Sequence, residues 1–355
     1  MKNLFVSSAL LAASGLAAAQ SSVTVFGIVD VNVQRGSGSV ADRNQVGSGG
    51  IGSSRLGFRG TEDLGDGLTA GFWLESGINV DTGTGGTTNT NNQSTGTSGG
   101  GSLTFGRRAT VSLAGNWGEV RLGRDYSAAY YNRFEFDPYG NSGVGASQAF
   151  VGALTGPIPT RVSNAVMYFL PPNLGGFYGL FQYYVGENAS NAGATKDDGT
   201  GGGLRIGYKA GALNVALSGT RTQYASTATA GDITSLNLGA SYVFADFTLM
   251  GGYYREEVDT LTGLTGRGPQ IGGRYRVGVG EFKAQWSSYQ TSAAGNPETK
   301  KISLGYVHSL SRRTALYGTY ARVNNSGGAT TSLNGAITAA NQSSSGFDLG
   351  LRHSF

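Results

Sequence analysis

From Gln20 onward, apolar and polar side chains alternate with a period of two, as they do in a strand whose successive residues point to opposite faces. Val23, Val25, Val29, Val31 and Val33 alternate with Thr24, Asp30, Asn32 and Gln34. Leu213, Val215 and Leu217 oppose Asn214, Ser218 and Thr220, and Leu236, Leu238, Ala240 and Tyr242 oppose Ser235, Asn237, Gly239 and Ser241. Ile302, Leu304 and Tyr306 face away from Ser303 and Gly305, as Phe347, Leu349 and Leu351 do from Asp348, Gly350 and Arg352. The pattern predicts sixteen strands: 22–35, 52–62, 68–79, 102–115, 118–126, 163–171, 176–187, 202–210, 212–222, 233–243, 246–258, 268–277, 280–290, 300–309, 313–323 and 345–355.

The connections alternate as well. Seven are tight: Asp63–Gly67, Asn116-Trp117, Pro172–Gly175, Gly211, Phe244-Ala245, Gly278-Val279 and Leu310–Arg312. The rest are longer and rich in Gly, Ser, Thr and Asn, among them 36–51, 81–101, 127–162, 188–201 and 324–344. Strict long–short alternation is expected when one end of every hairpin faces the periplasm and the other the outside. The first nineteen residues depart from this pattern: Lys2, an apolar run from Leu4 to Ala13, and Ala17-Ala18-Ala19 read as a cleaved secretory signal, leaving 20–355 as one domain.

Composition narrows the class. The chain has 355 residues, 61 Gly and no Cys, which removes disulfides and thiolate chemistry. A net charge of +4 is small and unclustered, so no nucleic-acid partner is expected. A soluble sandwich would also alternate, but here the apolar face carries Phe, Tyr and Leu with no helix to cover it, and the polar face is mostly Gly, Ser, Thr and Asn. In lipid every backbone group must be paired within the protein, so a closed all-β transmembrane barrel is the sheet that fits. Tyr168, Phe177, Tyr208, Tyr242, Phe247, Tyr253, Phe282 and Trp286 would form its interfacial girdles.

Several stretches resemble the Gram-negative trimeric porins, in particular their β-proteobacterial branch. They are Val23-Thr24-Val25-Phe26-Gly27-Ile28-Val29-Asp30, the run Ser54-Arg55-Leu56-Gly57-Phe58-Arg59-Gly60-Thr61-Glu62-Asp63-Leu64-Gly65-Asp66-Gly67-Leu68, Phe105-Gly106-Arg107-Arg108-Ala109, Gly118-Glu119-Val120-Arg121-Leu122-Gly123-Arg124 and the tail Gly350-Leu351-Arg352-His353-Ser354-Phe355. The resemblance implies sixteen antiparallel strands, a homotrimer in outer-membrane lipid and lipopolysaccharide, and a third outer loop (127–162) folded inward as a constriction. It implies that Phe355 is the signal read by the barrel-assembly machinery. It also implies a ladder of arginines facing loop acids, carried here by Arg55 and Arg107, with Arg161 a weaker match. The loop sequence Phe134-Glu135-Phe136-Asp137-Pro138-Tyr139-Gly140 departs from the family's Pro-Glu-Phe-Gly order, leaving Glu135 and Asp137 both as candidate constriction acids.

Alternation assigns the lumen independently. With apolar partners toward lipid, Arg205, Lys209, Arg274, Arg276, Lys283 and Arg352 face inward against Glu256 and Asp348, giving a positive wall. Arg55 and Arg59 also point inward, as does Glu75. Alternation favours Arg108 over Arg107, whereas the motif favours Arg107, so both stay candidates. Such a wall would draw small anionic solutes into the pore. Only His308 and His353 are present, so neither a metal centre nor a Ser–His hydrolase is expected, and no cofactor. Asn188-Ala189-Ser190 matches a glycosylation acceptor and Asp197-Asp198 could bind calcium. The expected function is passive diffusion of small hydrophilic solutes with a preference for anions. A substrate-specific anion channel (phosphate or dicarboxylate) and an adhesive or anchoring barrel are the rivals.

Overall fold

In a computed structural model, which describes residues 22–99, 101–147 and 160–355, the chain forms a closed antiparallel barrel. Among the described residues its wall has sixteen strands. The first eight are β1 (Ser22–Ser37), β2 (Arg55–Gly65), β3 (Leu68–Asn79), β4 (Arg108–Gly115), β5 (Gly118–Tyr126), β6 (Arg161–Phe169), β7 (Phe177–Tyr184) and β8 (Gly201–Ala210). The second eight are β9 (Leu213–Thr222), β10 (Ile233–Phe244), β11 (Phe247–Val258), β12 (Leu264–Val277), β13 (Gly280–Thr291), β14 (Glu298–Ser309), β15 (Thr314–Ser326) and β16 (Ser344–Ser354). Consecutive strands pair, and β1 closes the ring by pairing with β2 through Ser22–Ile28 and with β16 through Ile28–Ser37. At that seam Gly350 has room for no side chain, since a Cβ would stand 2.3 Å from the Tyr317 hydroxyl.

The faces follow the alternation. Leu204, Ile206, Leu217, Leu238, Ile271, Ile302, Leu304 and Leu349 are exposed, whereas Asn214, Ser218, Thr220, Asn237, Gln270, Ser303 and Thr319 are buried. The apolar residues therefore point outward into lipid and the polar ones into the lumen, the inverse of a soluble protein. No helix among the described residues is long and apolar enough to cross a membrane. Aromatic pairs such as Phe177–Tyr208 (4.9 Å) and Phe282–Tyr306 (4.7 Å) gird the end with the short turns. The signal segment 1–19 lies outside the described residues.

Most strand boundaries shift by a few residues, and two tracts change more. Half of the connection 36–51 is ladder: Arg43–Ser48 pairs with Val31–Gly36, leaving 38–42 as a hairpin tip. The tract reads as a loop because, above the hydrocarbon, neither face needs apolar residues. The chain then leaves the wall at 49–54, where the Asp30 carboxylate accepts from the amides of Gly50, Ile51 and Gly52 at 3.2, 3.0 and 2.8 Å. The fourth strand begins at Arg108 rather than at 102. The residues before it belong to an outer loop that folds back over β6 to β8. Its Asn92 amide donates to the carbonyls of Ser163, Val185 and Gly199 at 3.1, 3.3 and 3.1 Å.

Candidate functional site

The third outer connection enters the barrel as a helix, α1 (Ala128–Phe136). Ser127 caps it, its side chain accepting from the Tyr130 amide at 3.2 Å, which satisfies one of the amides left open at a helix start. A line of wall residues then fixes the loop. Asn237 donates to the Ala129 carbonyl (3.1 Å), Gln270 to that of Phe136 (2.6 Å), and Arg274 to those of Pro138 and Asp137 (2.7 and 3.1 Å). Tyr139 donates to the Lys283 carbonyl (3.1 Å) and Lys301 to that of Ala146 (2.8 Å). At the centre Arg133 pairs with Glu256 at 2.5 Å, and the Tyr289 hydroxyl donates to the same carboxylate at 2.7 Å.

This fixation changes the expected charge layout. Arg205, Arg274 and Lys283 do face inward, but they hold the loop rather than line an open positive wall. Arg205 pairs with Glu135 and donates to Asn132 (2.7 Å), and Lys283 lies over the Tyr139 ring (5.7 Å) beside Glu281 (3.5 Å). Glu135 also accepts from Asn214 (2.6 Å), so it is turned to the wall. Asp137 is buried, accepting from the amides of Tyr139 and Ser147 at 2.7 and 2.9 Å, and burial pushes its carboxyl up. Among the described residues both acids bond to the loop itself or to the wall behind it, and neither pairs with the arginines of β2 to β6. Lys209 and Arg276 stand exposed at the short-turn end of the lumen.

The arginines gather on the wall of β2 to β6. Arg55 and Arg107 share one carboxylate, Glu75, at 3.2 and 2.5 Å, and the Trp73 indole donates to its other oxygen at 3.1 Å. Arg107 and Arg161 both donate to the Tyr126 hydroxyl, at 3.2 and 3.3 Å. Below them Arg108 lies 3.4 Å from Asp125 and stacks on Trp73 at 4.5 Å, while Arg59 stacks on Trp73 and Phe26 at 5.1 and 5.3 Å. Arg121 pairs with Asp125 at 2.6 Å and with Glu119 at 3.0 Å.

Arg107 and Arg108 both reach the lumen. Arg108 lies opposite Glu75 in the ladder, so it points inward by alternation, whereas Arg107 precedes the first ladder position and alternation does not govern it. Trp73, Tyr126, Arg121 and Asp125 were not singled out from sequence. Arg121 was legible, because it opposes Leu122, but Tyr126 carries no signal beyond preceding a capping serine. Phe355 pairs through its backbone with Gly27 at 3.0 and 3.1 Å and leaves its ring partly exposed. Asp197 pairs with Lys196 at 2.5 Å, and Asp198 accepts from the Ala225 amide at 2.7 Å. No group of three or more His, Cys, Asp or Glu among the described residues could hold a metal ion.

Residues 6–328 match the family model described as Gram-negative porin. The chain is 37% identical to Outer membrane porin protein 32 of Delftia acidovorans over the full length of both. It is 31% identical to an outer membrane porin protein of Bordetella pertussis, covering 91% of this chain and 94% of that one. Among solved structures, an anion-selective porin from Comamonas acidovorans superposes with a TM-score of 0.84 at 35% identity, covering 95% of this chain and 100% of that one. The chain belongs to the Gram-negative porin family and is an outer-membrane porin.

Proposed function

We propose that this porin lets small hydrophilic solutes diffuse passively with a preference for anions, and that the preference arises on the β2–β6 wall. The observation that carries it is the charge count there. Arg55, Arg59, Arg107, Arg108, Arg121 and Arg161 stand against Glu75, Glu119, Asp125 and, at the short-turn end of β2, Asp63, six cations against four carboxylates. In a narrow aqueous neck with low-dielectric walls such an excess raises local anion concentration and disfavours cations. Arginine keeps its charge at every physiological pH, and its planar fork suits carboxylate, phosphate and sulfate. The similar Comamonas protein is named an anion-selective porin, which supports the same reading.

The constriction in this proposal comprises Arg55, Arg107 and Arg161, with Arg59 and Arg108 continuing the basic track toward the periplasm. Glu135 and Asp137 shape the loop, and Arg205, Arg274 and Lys283 hold it. Lys209 and Arg276 form the periplasmic mouth, and Phe355 serves in barrel assembly. The mature protein is a homotrimer made after removal of 1–19, and its function is passage rather than catalysis.

The test is the reversal potential of the purified protein in a planar bilayer under a potassium chloride gradient. A chloride-favouring potential with ohmic conductance in steps of three supports the reading. Arg55→Glu with Arg107→Glu should abolish the preference without loss of the folded barrel. A cation-favouring potential in the unaltered protein overturns it, and zero conductance would favour an adhesive barrel.

A further inference from the structure

The Tyr126 hydroxyl stands between two guanidiniums. Arg107 and Arg161 donate to the same oxygen at 3.2 and 3.3 Å, and the Arg161 guanidinium also lies over the ring at 4.6 Å. Two like charges brought to one point repel, so something must hold them there. Glu75 does this for Arg55 and Arg107 by cancelling charge. Tyr126 does it with a neutral oxygen, whose two lone pairs accept from both arginines and leave their charge intact.

The tyrosine itself is fixed. It is the last residue of β5; its amide donates to Asp125 (2.8 Å) and its carbonyl accepts from Gln182 (3.0 Å). Its ring packs against Tyr130 at 4.8 Å, Tyr131 at 5.5 Å and Phe134 at 6.2 Å, all on α1. With both lone pairs engaged, the O–H hydrogen remains to be donated, and it has no acceptor among the described residues. The Arg161 Nε, buried and without a partner among the described residues, belongs to the same donor-rich group.

We infer that Tyr126 is a positioning residue that brackets Arg107 and Arg161 into a single subsite for oxyanions (carboxylate, phosphate or sulfate), completed by its own O–H. An oxyanion presents several directed acceptors to such a set of N–H and O–H donors. A halide gains the charge but not the directed bonds. The inference rests on the proposed anion preference of this wall and adds a preference among anions to it.

The experiment compares the full-length protein with Tyr126→Phe in planar bilayers, measuring chloride against potassium and inorganic phosphate against chloride. Tyr126→Phe keeps the ring stack and every charge. The chloride-to-potassium permeability ratio should therefore stay within twofold, while phosphate relative to chloride falls by about three- to tenfold, the scale of one or two lost hydrogen bonds. Tyr126→Leu, which removes the pedestal, should lower both ratios. Retained heat-resistant mobility on electrophoresis verifies that each variant folds. An unchanged phosphate-to-chloride ratio in Tyr126→Phe overturns the inference, as does an equal fall in both ratios, which would mark a merely structural role. A wild-type protein without chloride preference would overturn the underlying reading instead.

Discussion

Glu75 shows how one residue sets the charge that a solute meets. Its side chain is buried and accepts from Arg55, Arg107 and the Trp73 indole, so one negative charge is shared between two positive ones. Glu75→Gln keeps the size and one acceptor oxygen but removes the charge. Anion preference should rise, read as a larger chloride-favouring reversal potential, because the two arginines lose their counter-charge. Stability should fall by about 1–3 kcal/mol, the cost of weakening hydrogen bonds to charged groups, read by thermal unfolding in detergent. A reversal potential equal to wild type would place the Glu75 charge outside the path of the ions. The residue was legible as inward-facing because it opposes Leu74. Its partnership with Arg107 was not, because Arg107 sits just outside the ladder, where a period of two carries no information.

At the scale of elements, the third loop is the part whose placement the sequence leaves open. Alternation sends Arg205, Arg274 and Lys283 inward, but which element meets them depends on contacts far apart in the chain, such as Arg133 with Glu256, 123 residues on. Such contacts leave no periodic trace, so wall arginines that bolt a loop look the same as arginines that face water. The Arg133–Glu256 pair is the most buried ion pair among these bolts, with both side chains almost fully enclosed. Removing one partner strands the other charge in a poorly solvated place. Arg133→Met should therefore destabilise the barrel by about 3–5 kcal/mol in equilibrium unfolding. It should also raise open-channel current noise, because α1 loses its central anchor. Arg133→Met together with Glu256→Leu should recover most of the stability, since an apolar pair carries no desolvation cost. If the double variant were as unstable as the single one, the loss would lie in packing rather than in the stranded charge.

For the whole molecule, the barrel was readable because two independent periods agree: residues alternate in and out, and connections alternate long and short. Both follow from one physical demand, that a sheet in hydrocarbon has no open edge and shows lipid only apolar side chains. The outward cations obey it too. Arg35, Arg221, Arg255, Arg267, Lys300 and Arg322 all lie on the exposed face close to the long-loop ends of their strands. All six stand on the long-loop half of their strands, on the side of the interface, where a lysine or arginine on the lipid face costs less than the about 2–4 kcal/mol it costs at the bilayer midplane. The rule can be tested along one strand, β10, whose Leu238 is exposed at mid-height and whose Thr234 shares that face near the long-loop end, opposite Arg221 and Glu257. Leu238→Arg should lower the unfolding free energy of the protein refolded into lipid vesicles by about 2–4 kcal/mol, and Thr234→Arg by no more than about 1. Losses of no more than about 1 kcal/mol at both positions would mean that the hydrocarbon does not reach Leu238, and losses of about 2–4 at both that it extends to Thr234. A steep gradient between them would locate the outer boundary of the hydrocarbon between these two residues, level with the arginines that the rest of the wall keeps at the same end.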